Sequence, residues 1–272
     1  MSPATLPPWA VPALLGLAGL LAGGAINLVV ERLPRQMERA WWADIGAELA
    51  DASGWTRVFR TARPAACAQM VADIDAAFER TIDEHMPRSP LRRLAVSLAT
   101  ALLFAMAAWR FGTAAATMAR CVALALLVAL ALIDFDTRLL PDGLTLTLLW
   151  AGLIAAELHW TIPLSAAVWG AVAGYLALWI LATPFKWISG REGIAPGDFK
   201  LLAALGAWLG WQAILPIALL ACVAGAAVGL TSRAAGHRGA GEPIPFGPFL
   251  AAGGVATMFA GVEHALHWIG LR

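Results

Sequence analysis

Seven long apolar runs limit what this chain can fold into: Trp9–Val30, Leu94–Trp109, Ala114–Ile133, Leu144–Trp160, Pro163–Phe185, Leu201–Leu230 and Phe249–Ile269. A helix needs about 20 apolar residues to cross a hydrocarbon core of ~30 Å. In lipid the backbone must satisfy its own hydrogen bonds, which helices do. The chain is 60% apolar and 14% charged, whereas a soluble domain is about 25% charged. The expected fold class is therefore all-α: a polytopic integral membrane protein in a lipid bilayer. Leu201–Leu230 would form about 45 Å of helix, too long for one crossing. Gly210 and Pro216 mark where it can divide. About eight transmembrane helices are expected.

Trp9–Val30 reads as a span rather than a cleavable signal, because no basic region precedes it. Its Gly16, Gly19, Gly23 and Gly24 form a small-residue face for close helix packing. The Glu31–Pro34 stretch is expected to end that span. Glu31–Arg93 is the long polar section, with ten arginines and ten acids. Its apolar spacing predicts amphipathic helices at Met37–Leu49 and Cys67–Ile82. Three regions follow: a first span over residues 1–30, a helical domain over 31–93, and a membrane domain of about seven spans over 94–272.

The side of the membrane is read from the basic residues. With eight spans, Glu31–Arg93, Asp134–Gly143, Lys186–Lys200 and Thr231–Phe246 share one face, which holds sixteen of the 19 Lys and Arg. By the positive-inside rule that face is cytoplasmic and both termini face outward. A net charge of +1 argues against a nucleic-acid partner. Cys67, Cys121 and Cys222 form no CxxC pair, so neither a zinc site nor a disulfide framework is indicated.

Against this background the carboxylates stand out. Asp134, Asp136 and Asp142 follow the uncharged run Cys121–Ile133. Acids at the edge of a lipid-embedded segment are costly and suggest function unless they face water. A second feature, Ser189–Lys200, is a glycine-bearing turn leading into a helix with Asp198 at its entrance. Asp134 ends one span and Asp198 begins another on the same face, so neighbouring helices would bring the two carboxyls together. Like charges a few ångströms apart do not both ionise, and one carboxyl stays protonated near neutral pH. The charged member can take a proton from water while the neutral one hydrogen-bonds a substrate carbonyl. Gly197 would permit close approach to the acid.

Each acid also has a structural reading. Asp198 after Pro-Gly fits a helix N-cap, worth ~1 kcal/mol. Asp136 reads as a hydrated loop acid and Asp142 as the cap of the helix beginning at Leu144. Spacing alone fits an aspartyl protease, an ion-coupled transporter or a set of capping residues equally.

Four motifs in order break this tie. Gly23-Gly24-Ala25-Ile26-Asn27-Leu28-Val29-Val30-Glu31-Arg32-Leu33-Pro34 is similar to the opening Gly-Ser-Phe-Leu-Asn-Val-Val-x-x-Arg-Leu-Pro of the type IV prepilin peptidases. Ile133-Asp134 through Leu140-Pro141-Asp142 resembles that family's first acid motif, and Gly197-Asp198 with Lys200 and Leu201 its second. Pro243-Ile244-Pro245-Phe246-Gly247-Pro248 resembles its last loop. The resemblance covers nearly the whole chain apart from the first polar loop.

The resemblance implies a bacterial inner-membrane aspartyl protease with Asp134 and Asp198 catalytic, and Asp136, Asp142, Gly197 and Lys200 in support. It implies cleavage of the basic leader from type IV prepilins and type II secretion pseudopilins at the cytoplasmic face. Methylation of the new N-terminus from S-adenosyl-L-methionine would follow. Asn27, Arg32 and the Glu31–Arg93 helices are candidates for the methyl donor's site by location alone. Many members bind zinc through two CxxC pairs in the first loop. This chain has only Cys67 there, so no zinc is expected. The family's Gly-x-Gly-Asp reads Ala195-Pro196-Gly197-Asp198, and Ala195 reaches positive φ less easily than glycine, so a stiffer turn is expected. The alternatives are a leader peptidase without methyltransferase activity and, from a different class, an ion-coupled transporter. Transport is disfavoured by acids at span ends and by the lack of internal repeats.

Overall fold

The computed structural model describes residues 7, 9–51, 89–112, 114–190, 193–235 and 244–270. Among them the regular structure is helical throughout: α1 Ala10–Asp51, α2 Pro90–Phe111, α3 Ala115–Thr137, α4 Asp142–Glu157, α5 Leu164–Ser189, α6 Pro196–Leu209, α7 Ile214–Ala234, α8 Gly247–Ala260 and α9 Val262–Trp268. A 3-10 turn, Trp211–Ala213, joins α6 to α7. The expected helix at Cys67–Ile82 and most of the Glu31–Arg93 section lie outside the described residues.

Local chemistry explains the boundaries. Ser89 caps α2 by accepting from the Arg92 amide at 3.2 Å, with Pro90 in the first helical position, where a missing N–H costs nothing. α5 ends on Gly190 at φ 67° and α6 on Gly210 at φ 85°. The long apolar run thus divides at Gly210. Pro216 is not the break: it sits in the first turn of α7. Pro34 does not end the first helix either, because α1 runs through it to Asp51. Pro34, which is buried, forgoes one backbone bond without breaking the helix. The expected division between a first span and a polar domain therefore falls inside one continuous helix.

Each expected apolar run appears as a helix, but the count of eight crossings does not follow. Five helices among the described residues are long and apolar enough to cross, α1, α2, α3, α5 and α7 with its leading turn. α8 and α9 make a sixth only if taken as one span, and they bend by 114° at Gly261, φ 90°. α4 and α6 have 16 and 14 residues, about 24 and 21 Å of helix.

The short helices are the inner ones. Every α6 residue from Asp198 to Trp208 is buried except Lys200, as expected for a helix apolar all round. α4, α5 and α8 surround it. α3 forms the other half of the core, with Leu124, Leu127, Leu130 and Ile133 fully buried. Glycines set the spacing. A Cβ on Gly170 of α5 or Gly206 of α6 would strike the other's carbonyl, and one on Gly174 would strike Leu202. On α1, Gly19 and Gly23 meet the α2 backbone at Ala101 and Ser97, whereas a Cβ on Gly24 would meet nothing. The predicted glycine face is therefore real but narrower than its spacing implied.

Candidate active site

One end of the bundle gathers the last turn of α3 and the first turns of α2, α4, α6 and α8. Asp134 lies in the last turn of α3 and is 5% exposed. The helix closes just beyond it on Arg138, whose left-handed backbone (φ 57°) returns an amide to the Asp134 carbonyl at 2.8 Å.

α6 begins with Ala195 in the cap position, Pro196 first and Gly197 second, so Asp198 is the third helical residue. It is not the N-cap. Its side chain is turned inward, 4% exposed, and its Oδ1 is buried without a hydrogen-bond partner. Ala195 has φ −71° and ψ 143°, ordinary extended backbone, so the turn asks no positive φ of it. Gly197 is the glycine that the site requires. A Cβ there would lie 2.7 Å from the Leu140 Cβ, so its bareness lets the α3–α4 turn lie on the start of α6.

Asp134 and Asp198, 64 positions apart in sequence, are close enough to interact electrically. Burial and then the charge of Asp134 push the Asp198 carboxyl up to about 7, against a backbone hydrogen bond at Ala195. Asp198 lies outside the five long spans. Because the folded state holds this proton more tightly than the unfolded chain, its contribution to stability is present below about pH 4 and is lost as pH rises toward 7. Thermal midpoints measured from pH 4 to 8 should therefore fall less with pH in Asp198→Asn than in the parent. Parallel curves would show that Asp198 titrates normally.

The supporting acids are placed differently from expectation. Asp136 lies on α3 rather than in a loop, and its side chain is 3% exposed, so it is not hydrated; Arg92 of α2 holds its Oδ2 at 2.6 Å. Asp142 does not cap α4, whose cap position is Pro141. It binds Lys200 of α6 through both oxygens at 2.6 and 2.7 Å. This exposed pair ties the starts of α4 and α6, and such pairs contribute ~0–1 kcal/mol. Asn27 of α1 donates to the Arg93 carbonyl at 3.0 Å, and Arg93 grips Glu31 at 2.8 and 2.9 Å.

The residue that sequence reasoning missed is Gly247. Its amide, at the start of α8, donates to Asp134 Oδ2 at 2.9 Å in a buried position. A Cβ there would sit 2.7 Å from that oxygen. The sequence signal was a glycine between Phe246 and Pro248, at a helix entrance, in a loop that one of the four motifs covers.

Among the described residues no three or more His, Cys, Asp or Glu are placed to hold a metal; Cys67 is outside them. Asn27 and Glu31 are spent on joining α1 to α2, and Arg32 is exposed.

Residues 121–230, which include Asp134 and Asp198, match the type IV leader peptidase family. A protein of Burkholderia pseudomallei (strain 1026b) named "Prepilin leader peptidase/N-methyltransferase" is 44% identical over 262 residues, 91% of this chain and 85% of its own. Proteins of the same name from Pectobacterium carotovorum and Neisseria gonorrhoeae are 40% and 34% identical, covering 90% and 97% of this chain and 91% and 96% of theirs. No solved structure matches significantly. With relatives this similar end to end, and with the family's own profile centred on the stretch that carries both buried acids, the chain belongs to the type IV leader peptidase family.

Proposed function

We propose that this chain removes the basic leader from type IV prepilins and type II secretion pseudopilins at the cytoplasmic face of the bacterial inner membrane, using Asp134 and Asp198 as a carboxyl pair. The observation that carries this reading is that two acids from distant segments are buried at one end of the bundle. There one raises the proton affinity of the other.

In the resting pair one carboxyl is ionised and the other holds a proton. The oxygen of a water bonds to the carbonyl carbon at the scissile peptide, and that water's proton passes to the ionised member. The neutral member's proton goes to the carbonyl oxygen. The tetrahedral adduct then breaks its C–N bond. The amine leaves with the proton taken from water, and the hydroxyl proton returns to the second carboxylate, restoring the pair. A near-neutral Asp198 suits this exchange, since acid–base groups work best near the operating pH. The sequence distribution of Lys and Arg supports the cytoplasmic orientation.

The relatives' names also support N-methylation of the mature terminus, with S-adenosyl-L-methionine supplying the methyl group. The Glu31–Arg93 section, read as a zinc-free helical cytoplasmic domain, is the region from which its site would be built. The test is incubation of the purified chain in liposomes with a prepilin, with and without the methyl donor. Mass spectrometry should find the leader removed and, with donor, one methyl on the new terminus. An uncut precursor overturns the peptidase reading, and a cut but unmethylated one overturns the second activity.

A further inference from the structure

We propose that Gly247 positions the pair, its main-chain amide holding Asp134 as the ionised, water-activating carboxylate and leaving Asp198 as the member that carries the proton. This deepens the proposed function and rests on its aspartate pair. A symmetric dyad has no preferred base, and here the surroundings differ on the two sides.

On the Asp134 side, Oδ2 accepts the Gly247 N–H at 2.9 Å in a buried position. A donor aimed at a carboxylate oxygen favours the charged form. The local sequence makes this amide the available one. Pro248, in the second position of α8, has no N–H, and the amides of Phe249 and Leu250 both go to the Phe246 carbonyl at 3.1 Å. Gly247 is left with an amide that no helical carbonyl claims, and Asp134 takes it. A helix start also carries partial positive charge, which favours an anion there. The 2.7 Å between a notional Cβ and the carboxylate oxygen makes glycine the residue that allows this approach.

On the Asp198 side, Oδ1 is buried and unpartnered. An ionised oxygen left bare in such a place is costly, whereas a protonated carboxyl has an O–H to offer to an incoming carbonyl. The neighbouring charges do not blur this division. α8 carries none. At this end of the bundle Asp136 is taken by Arg92 of α2, Glu31 of α1 by Arg93, and exposed Asp142 of α4 by Lys200 of α6. Arg32 and Arg138 are exposed. The charge of Asp134 acts on Asp198.

Gly247→Ala should lower kcat about a hundredfold, with KM for the prepilin within about threefold. It should also move the acid limb of the pH–rate profile up by roughly one pH unit. An unmoved profile overturns the proposal, even with a lower kcat, because a merely structural defect would leave it in place. Should Gly247→Ala fail to fold, infrared difference spectra of the full chain near pH 6 decide the same point. Asp134→Asn should remove a carboxylate band and Asp198→Asn a protonated carboxyl band; the reverse pattern overturns the assignment. If both aspartate variants still cleave, the dyad itself fails. If both are inactive but neither the profile nor the spectra behave as stated, only the role of Gly247 fails.

Discussion

Asp134→Asn and Asp198→Asn will each lower the rate of prepilin cleavage by about three or more orders of magnitude while the protein stays folded. Asparagine keeps the shape of the side chain but can neither accept the proton of the attacking water nor give one up, and general acid–base steps of this kind are worth about 10²–10⁴ each. The two losses will not add, because the carboxyls act as a unit. The double variant should be no slower than the worse single one. Stability sets the two apart. Asp198 is a buried acid with a raised proton affinity and a bare oxygen, so Asp198→Asn should be as stable as the parent or more so above neutral pH. Asp134→Asn keeps an oxygen for the Gly247 amide and should also fold. Gel-shift cleavage assays beside thermal midpoints read both effects. Processing by either variant at the parent rate would remove that acid from the chemistry.

Gly206→Val will destabilise the fold more than the loss of either aspartate. The α5 and α6 backbones meet at Gly170 and Gly206, and a Cβ on either runs into the other's carbonyl oxygen rather than into a movable side-chain tip. Backbone cannot step aside as a methyl group can, so the helices must part. Overpacking of this kind costs about 1–3 kcal/mol or more. The thermal midpoint should fall by about 5 °C or more. Activity should fall as well, since α6 carries Asp198 in its first turn. Gly143→Ala is the control, because a Cβ there meets nothing within 4 Å and its midpoint should not fall. Equal midpoints for Gly206→Val and the parent would mean that the α5–α6 crossing is looser than its glycine contacts imply.

The helical class and its apolar segments follow from hydropathy because lipid leaves the backbone no alternative to internal hydrogen bonding. The break at Gly210 was legible for a similarly local reason, a glycine where the chain must reach positive φ. That α1 runs on through Pro34 to Asp51 was not legible, because one proline costs a helix locally and does not fix where it stops. Asp142 misled. A Pro-Asp-Gly sequence suggests a cap, yet its partner is Lys200, 58 positions on.

By itself the sequence determined that this is a helical membrane chain and, through four ordered motifs, which family it belongs to, and it singled out the two acids proposed here as the working pair. Chemistry of that kind resides in side chains, and side chains are what a sequence spells out. The tertiary structure alone decided that α6 is the buried centre, that Gly197 exists for Leu140, that Asp136 is paired, and that a main-chain amide from Gly247 reaches Asp134. A backbone N–H is present at nearly every position, so its identity as a donor is invisible until the fold brings it, across 113 positions, to one carboxylate oxygen.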